Sequence, residues 1–209
     1  MPRTFRAIVI VALWALMPQG VLAGQAIDVN TLNPVPPADY TCMGTGGGAI
    51  CRVSRVEDVS GPSDFLCGDA ASPVRLAFVD GVDNLEFTRI YDADLNLVTR
   101  TVHEHFSVTV LDPVTGLTVE STQISEVTST FTTPGDVDSG TFATRGVVKF
   151  FLPGAGVLLI DVGRAVLTAD GTLLRESGRH QFDLYYGGDT SVIAALCEAV
   201  GSPGTPPLP

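Results

Sequence analysis

The fold is decided by the stretch from residue 97 to residue 116, which reads LVTRTVHEHFSVTVL and then DPVTG. In its first part apolar and polar residues alternate, and a period of two is typical of a β-strand with one face against a core. In its second part Pro113 and Gly116 are placed for a tight turn. The stretch therefore predicts a long strand that ends in a hairpin.

The same alternation, interrupted by turns that contain Asp, Gly, Pro or Asn, continues from Val74 to Tyr186. Long sequential antiparallel strands curl, and closure into a barrel removes exposed edges. We therefore predict an all-β fold, an up-and-down antiparallel β-barrel of seven or eight strands, with a two-sheet β-sandwich as the alternative. The predicted strands are Val74–Asp80, Leu85–Asp92, Leu97–Leu111, Leu117–Phe131, Thr141–Leu152, Val157–Thr168 and Thr172–Tyr186, with an eighth over Ile50–Val59.

A helix is predicted after the last strand. Asp189 or Thr190 can cap it, apolar residues recur at helical spacing as far as Val200, and Gly201 ends it. The helix covers one end of the barrel, and residues 201–209 form a disordered tail rich in Pro and Gly.

The first 23 residues have the features of a secretory signal peptide. Arg3 and Arg6 precede an apolar run that ends at Met17, and Ala23 offers a small residue at the cleavage position. The run is about half of the ~20 residues that span a bilayer, which disfavours a membrane anchor. We expect a secreted protein with an extended N-terminal segment over residues 24–66 and a barrel domain with its helix over residues 67–200.

The charge excludes two classes of partner. The whole chain carries a net charge of −11, and loss of Arg3 and Arg6 with the signal peptide makes the mature chain −13. Such a protein is repelled by nucleic acid and by anionic membrane surfaces. Lys149 is the only lysine beside eleven arginines, which indicates a GC-rich bacterial genome.

The four cysteines predict two disulfides, because an even number in an exported chain is typical of a disulfide framework. Cys42 and Cys51 enclose a short Gly-rich loop and are natural partners. Cys67 then pairs with Cys197 and ties the start of the barrel to the helix.

A His-x-His motif offers a candidate metal site. His103 and His105 share one face of a strand, as in the metal sites of cupins, and His180 could complete a triad. The Glu that follows in cupins is missing, however, and alternation turns both histidines to the polar outer face while His180 points inward. We therefore expect two exposed histidines, no metal and no cofactor.

Several polar side chains fall on the apolar faces of predicted strands. Buried charge is costly, so these groups must pair with one another, bind a ligand or face water. In one interpretation Arg–Glu pairs and His180 form a structural hydrogen-bond network, or a bulge turns some of these residues to solvent. In the other they line a pocket in which Arg100 or Arg164 binds a small anionic molecule. The residues concerned are Arg100, Glu104, Gln123, Arg164, Glu176 and His180.

Short fragments such as Leu66-Cys67-Gly68-Asp69, Asp112-Pro113-Val114-Thr115-Gly116 and Gly178-Arg179-His180 resemble a family of uncharacterised secreted proteins of actinobacteria-like bacteria. The resemblance covers about residues 66–200 and implies secretion and an all-β fold, with no known activity. The meander is also similar, at the level of fold alone, to lipocalin-like and allene-oxide-cyclase-like barrels.

No catalytic signature is present, so function is a hypothesis of three kinds. The first is the binding of a small molecule or a cell-surface component. The second is a cofactor-free isomerase or cyclase that uses the polar interior. The third is a structural or inhibitory protein that acts through the Cys42–Cys51 loop.

Overall fold

The computed structural model describes residues 24–68, 71–152, 154, 156–179 and 190–202. They form one antiparallel sheet of eight strands in sequence order, followed by one helix. A single 3-10 turn, Val29–Thr31, precedes the sheet. The elements are β1 (Thr41–Thr45), β2 (Gly48–Cys67), β3 (Val74–Tyr91), β4 (Leu97–Leu111), β5 (Thr118–Thr130), β6 (Thr141–Leu152), β7 (Gly156–Thr168), β8 (Leu173–Arg179) and α1 (Thr190–Ala199).

The antiparallel meander and its C-terminal helix are confirmed. The bounds predicted for β4 and β6 agree with the structure, and those of β5 and β7 differ by one residue at their ends. Residues 180–186, predicted to continue β8, lie outside the described residues, as do the signal peptide and the end of the tail. In the described residues no helix combines the length and the apolar character needed to cross a membrane.

Three strand predictions differ from the structure. The two strands expected over Val74–Asp80 and Leu85–Asp92 are one strand, because the chain passes through a bulge between Val79 and Val82 and stays paired on both sides of it. The strand expected over Ile50–Val59 is the middle of the much longer β2. The short β1 was not predicted. The segment 24–66 therefore contains a large part of the sheet rather than only an extended lead-in.

In its described part the sheet is open. A barrel closes when the last strand pairs with the first. Here β1 pairs with residues 48–52 of β2 and, through Gly44, with Gln25, while β8 pairs with β7 among the described residues. This agrees with the alternative to the closed barrel. The helix α1 contacts both β2 and β7, so it lies between these two strands at one end of the sheet.

The sheet is nevertheless strongly curled. Phe65 on β2 and Phe150 on β6 have ring centroids 6.2 Å apart, although four strand spacings in a flat sheet would separate them by about 19 Å. The two strands must therefore face each other across the interior. Gly81 permits part of this curvature, because a Cβ at that position would lie 2.6 Å from the carbonyl oxygen of Val59.

Two apolar clusters lie on the inner face of the sheet, which is the face that carries Val108 and Val110. The first cluster, at the helix end, is closed by Leu196 of α1, by Val200 directly after α1 and by the disulfide between Cys67 and Cys197. Its members from the strands include Phe65, Leu76, Val108, Val110, Val119 and Phe150. We call it the helix-end core.

The second cluster lies at the other end of the strands. Leu32 and Ile27 of the N-terminal segment pack there against Tyr91 and Leu97, and the disulfide between Cys42 and Cys51 joins β1 to β2 beside them. We call this cluster the N-terminal core. Both predicted disulfides are confirmed, and each one ties a covering segment or edge strand to one end of the sheet.

The turn after β4 also anchors the end of α1. Asp112 is fully buried, and its Oδ1 accepts the backbone N–H groups of Val114 at 2.7 Å and Thr115 at 3.1 Å. Its other oxygen accepts the hydroxyl of Ser202, and the Thr115 hydroxyl donates to the carbonyl of Val200 at 2.6 Å. The turn predicted from DPVTG thus also holds the C-terminal end of the chain's helix.

A bulge reverses the expected faces of most of β7. Leu158 packs against the helix-end core, as expected. Phe150 is paired with residue 159 and Phe151 with Val157, however, so Leu158 is an extra residue with no opposite position on β6. The residues after Leu158 therefore lie on the face opposite to the one expected. Asp161 and Ala165 are buried on the inner face, whereas Arg164 is exposed on the outer face. The same reversal applies to Ile160, Val162 and Val166.

Candidate functional site

A polar belt crosses the inner face between the two apolar cores. The strand register places its members on neighbouring strands with their side chains on one side of the sheet. Most are half-buried, so they face the space enclosed by the curled sheet rather than a packed core. The polar belt consists of Arg55, Glu57, Asp83, Arg89, Arg100, Glu104, Gln123, Ser125, Ser129 and Asp161.

An arginine pair forms the part of the belt nearest the N-terminal core. Arg89 on β3 lies directly opposite Arg100 on β4. The Arg89 guanidinium lies 5.1 Å from the centre of the Tyr40 ring, a distance typical of a cation–π contact. Arg100 donates to the Ser129 hydroxyl at 3.4 Å. Both side chains are therefore oriented by neighbours that carry no charge.

In the part of the chain that the structure describes, neither of these arginines forms an ion pair. Arg55, by contrast, lies 2.8 Å from Asp39. The Nε atom of Arg89 is also buried without a hydrogen-bond partner. Like charges directly opposite each other on neighbouring strands are destabilising. The pair is thus a concentration of positive charge with unused donors on the inner face of an acidic protein.

The carboxylates of the belt are a separate group. Glu104 accepts hydrogen bonds from the Gln123 amide and, at 2.6 Å, from the Ser125 hydroxyl. Glu104 is four residues from Arg100, or about 13 Å along the strand, and Val102 lies between them on the same face. Arg100 and Glu104 therefore do not form one of the Arg–Glu pairs of the structural interpretation, because Glu104 accepts hydrogen bonds from uncharged partners.

Asp83 is the carboxyl group with the most unusual surroundings. It lies opposite Glu57 and next to Glu104 on the inner face. Burial, followed by repulsion from Glu104 and Glu57, raises the pKa of Asp83 above its ordinary value. Its Oδ1 atom is buried and has no hydrogen-bond partner. Negative charge in this part of the belt is thus already in excess.

Tyr91 lies on the inner face between the arginine pair and the N-terminal core. Its hydroxyl donates to the carbonyl of Pro34 at 3.0 Å, so the residue also fixes the N-terminal segment. Burial raises the pKa of Tyr91, and a hydrogen bond from Arg89 opposes that rise. Tyr40 and Tyr91 together place two aromatic rings around Arg89.

The structure brings together only some of the residues predicted as a pocket. Arg100, Glu104 and Gln123 share the inner face. Glu176 lies on that face by its register with Ala165, but β8 is exposed there. Arg164 is on the outer face, which corrects its predicted inward position, and His180 lies outside the described residues.

Sequence reasoning missed Arg89 and Asp83, which are central to the belt. The signal was present, because both share the odd-numbered face of β3 with Phe87 and Tyr91. The prediction divided that strand into two, and no face was assigned to either part. Tyr40 could not have been found in this way, since it reaches the sheet from the N-terminal segment.

The two histidines of the His-x-His motif lie on the outer face, where both are exposed. His103 Nδ1 is 3.3 Å from an oxygen of Glu126. Arg145 binds the same carboxylate at 2.8 Å and holds the pKa of Glu126 below its usual value. Within the described residues, no group of three or more His, Cys, Asp or Glu side chains is arranged to hold a metal ion.

Comparison with protein-family models, curated proteins and solved structures gave no match to this chain. The resemblance to a family of secreted bacterial proteins therefore stays a prediction. The geometry of the polar belt is therefore the basis on which a function can be inferred.

Proposed function

We propose that this is an exported protein that binds a small organic anion through Arg89 and Arg100 on the inner face of its curled sheet. One observation carries the proposal. The two arginines face the same enclosed space from opposite positions on neighbouring strands, and no described carboxylate neutralises either of them. An anionic ligand supplies the missing charge.

A carboxylate suits this pair best. Guanidinium groups bind carboxylates through paired N–H donors, and such charge-assisted hydrogen bonds are the strong ones. The Tyr40 ring holds the Arg89 guanidinium in place before a ligand arrives, so little side-chain freedom is lost on binding. The Nε atom of Arg89 is a donor that the protein itself does not use.

The row of side chains beside the arginines indicates the rest of the ligand. Phe87, Val102 and Val127 lie side by side on the inner face between the arginine pair and Glu104, and all three are half-buried. They offer a short apolar surface to the body of a ligand whose carboxylate binds the arginines. We therefore propose an amphipathic monocarboxylate, with an alkyl or aromatic body, as the ligand class.

Export is supported by the two disulfides, since such bonds persist mainly in oxidising compartments. The features of residues 1–23 as a signal peptide give a second reason. A secreted carrier or scavenger of organic acids is consistent with both.

The binding test uses octanoate and phenylacetate as probes and isothermal titration calorimetry at low ionic strength. Arg89→Ala and Arg100→Ala should each weaken binding by at least about tenfold, because a hydrogen bond to a charged group contributes roughly 1.5–3 kcal/mol. Arg52→Ala is the matched control, since Arg52 is an exposed arginine on the outer face of β2.

Octanol, which has the same body without the charge, should bind much more weakly than octanoate. The proposal is wrong if neither probe binds the native protein, if octanol binds as well as octanoate, or if the two inner-face variants bind like Arg52→Ala.

A further inference from the structure

A second arginine pair lies on the outer face of the same sheet, opposite to the inner face that carries the proposed carboxylate site. Arg145 on β6 lies directly opposite Arg164 on β7. Both are exposed, and together they line one part of a depression of about 350 Å³ between β5, β6 and β7. The depression is therefore a positively charged site on a protein whose net charge is strongly negative.

The two arginines differ in their partners. Glu126 on β5 binds Arg145 through both of its oxygens, at 2.8 and 2.9 Å. Arg164 forms no ion pair within the described residues. Glu126 thus fixes Arg145 in place, while the charge of Arg164 stays available at the rim of the depression.

The rest of the depression is lined by hydroxyl groups and small apolar side chains. Thr128, Thr130 and Thr141 contribute hydroxyls, and Ala143 and Val166 form the remaining surface. The register explains this composition, because Thr128, Ala143 and Val166 stand in one cross-strand row and Thr130 and Thr141 are opposite each other in the next. The arginine end of the depression can therefore bind an anionic group, and the threonine hydroxyls can form weaker hydrogen bonds with the rest of a ligand.

We propose that this outer depression binds an acidic sugar residue, with its carboxylate or sulfate on Arg164 and Arg145 and its hydroxyls on the threonines. The volume is that of a small ligand site, and the threonine hydroxyls can both donate and accept, as sugar hydroxyls do. A net charge of −11 on the whole chain disfavours a long polyanion. The ligand is therefore a short or terminal acidic saccharide, presented in solution or by a cell surface.

The test measures the binding of trigalacturonate to the full mature protein by titration calorimetry at low ionic strength. Arg164→Ala should weaken binding by at least tenfold, and Thr141→Val should weaken it by a smaller factor. Arg52→Ala, which removes an exposed arginine elsewhere on the outer face, should bind like the native protein. Inorganic sulfate should compete with trigalacturonate in the native protein and not in Arg164→Ala.

Arg100→Ala separates this proposal from the proposed function. It should weaken octanoate binding at least tenfold and leave trigalacturonate binding unchanged, whereas Arg164→Ala should weaken trigalacturonate binding and leave octanoate binding unchanged. Equal binding of neutral galactotriose would overturn the inference, as would native-like affinity in Arg164→Ala or an equal loss in Arg52→Ala. Arg164 is exposed at the surface, so its replacement leaves the fold intact, and a circular dichroism spectrum checks this.

Discussion

Removal of the disulfide between Cys67 and Cys197 should destabilise the protein far more than removal of the one between Cys42 and Cys51. The two bonds differ in the length of chain that they close, with sequence separations of 130 and 9 residues. A crosslink restricts the unfolded chain more when the closed loop is longer. The chain-entropy relation gives about 5 kcal/mol for the first bond and about 2.5 kcal/mol for the second.

The structure adds a reason why the longer bond matters. Cys197 lies on α1, and the first bond fastens that helix over the helix-end core. A domain of this kind has a total stability of about 5–15 kcal/mol. Loss of about 5 kcal/mol therefore leaves the native state marginal, while loss of about 2.5 kcal/mol does not.

The assay compares Cys67→Ala/Cys197→Ala with Cys42→Ala/Cys51→Ala by urea unfolding at 25 °C. Circular dichroism and tyrosine fluorescence monitor the unfolding. The double variant without the 67–197 bond should unfold at the lower urea concentration, by a difference of about 2 kcal/mol in the free energy of unfolding. Equal urea midpoints for the two variants would contradict this prediction, as would a lower midpoint for Cys42→Ala/Cys51→Ala.

Two further predictions concern the belt and the compartment. Folding raises the pKa of Asp83 above its ordinary value of 3.8. The unfolded chain therefore gives up this proton at a lower pH than the folded protein does, so the stability contributed by protonated Asp83 is lost as the pH rises from 3.8 through the higher folded-state pKa. Asp83→Asn should therefore be more stable than the native protein at neutral pH and no more stable at low pH, measured by thermal unfolding against pH; an equal effect at both pH values would contradict this. Export predicts that the protein secreted by a bacterial host begins at Gly24, which intact-mass analysis can read, and retention of residues 1–23 would count against it.

Much of the sheet could be predicted because its local signals agree with one another. In β4 every even-numbered position from Val98 to Val110 is apolar except Arg100 and Glu104, and the turn that follows has Pro113 and Gly116 where a tight turn needs them. The same consistency gave the bounds of β6 and the end of α1 to within one residue. Where pattern, turn and propensity indicate the same structure, the sequence is sufficient.

The errors arose where a strand continues through an irregularity. Gly81 and Asp80, which has a positive φ of 50°, look like a turn in the sequence, yet β3 passes through them as a bulge. In β7 both faces are apolar, so alternation could not fix the phase, and the extra residue Leu158 shifted it. Both irregularities are register shifts against the neighbouring strands, and the local sequence does not contain that pairing.

The sequence predicted only part of the candidate site, because faces could be assigned only on strands with clear alternation. Arg100, Glu104 and Gln123 were found because they stand on strands with clear alternation. Arg89 was missed because its strand was predicted as two separate strands with no face assigned. Without Arg89, Arg100 has no neighbour of like charge. The hypothesis of an anion site therefore became specific only when the register joined β3 to β4.

The arginine pair lies apart from the two cores that stabilise the sheet, so its contribution to binding can be measured separately from its contribution to stability. The helix-end core and the N-terminal core each lie at one end of the strands and are closed by a disulfide, so they hold the sheet without help from the belt between them. Two like charges facing each other in that belt oppose folding when no ligand is bound. The Arg100→Ala variant used for the binding test should accordingly be at least as stable as the native protein without ligand, and should gain less stability than the native protein from the same concentration of octanoate. A purely structural pair would behave in the opposite way, because the loss of Arg100 would then lower stability together with any binding.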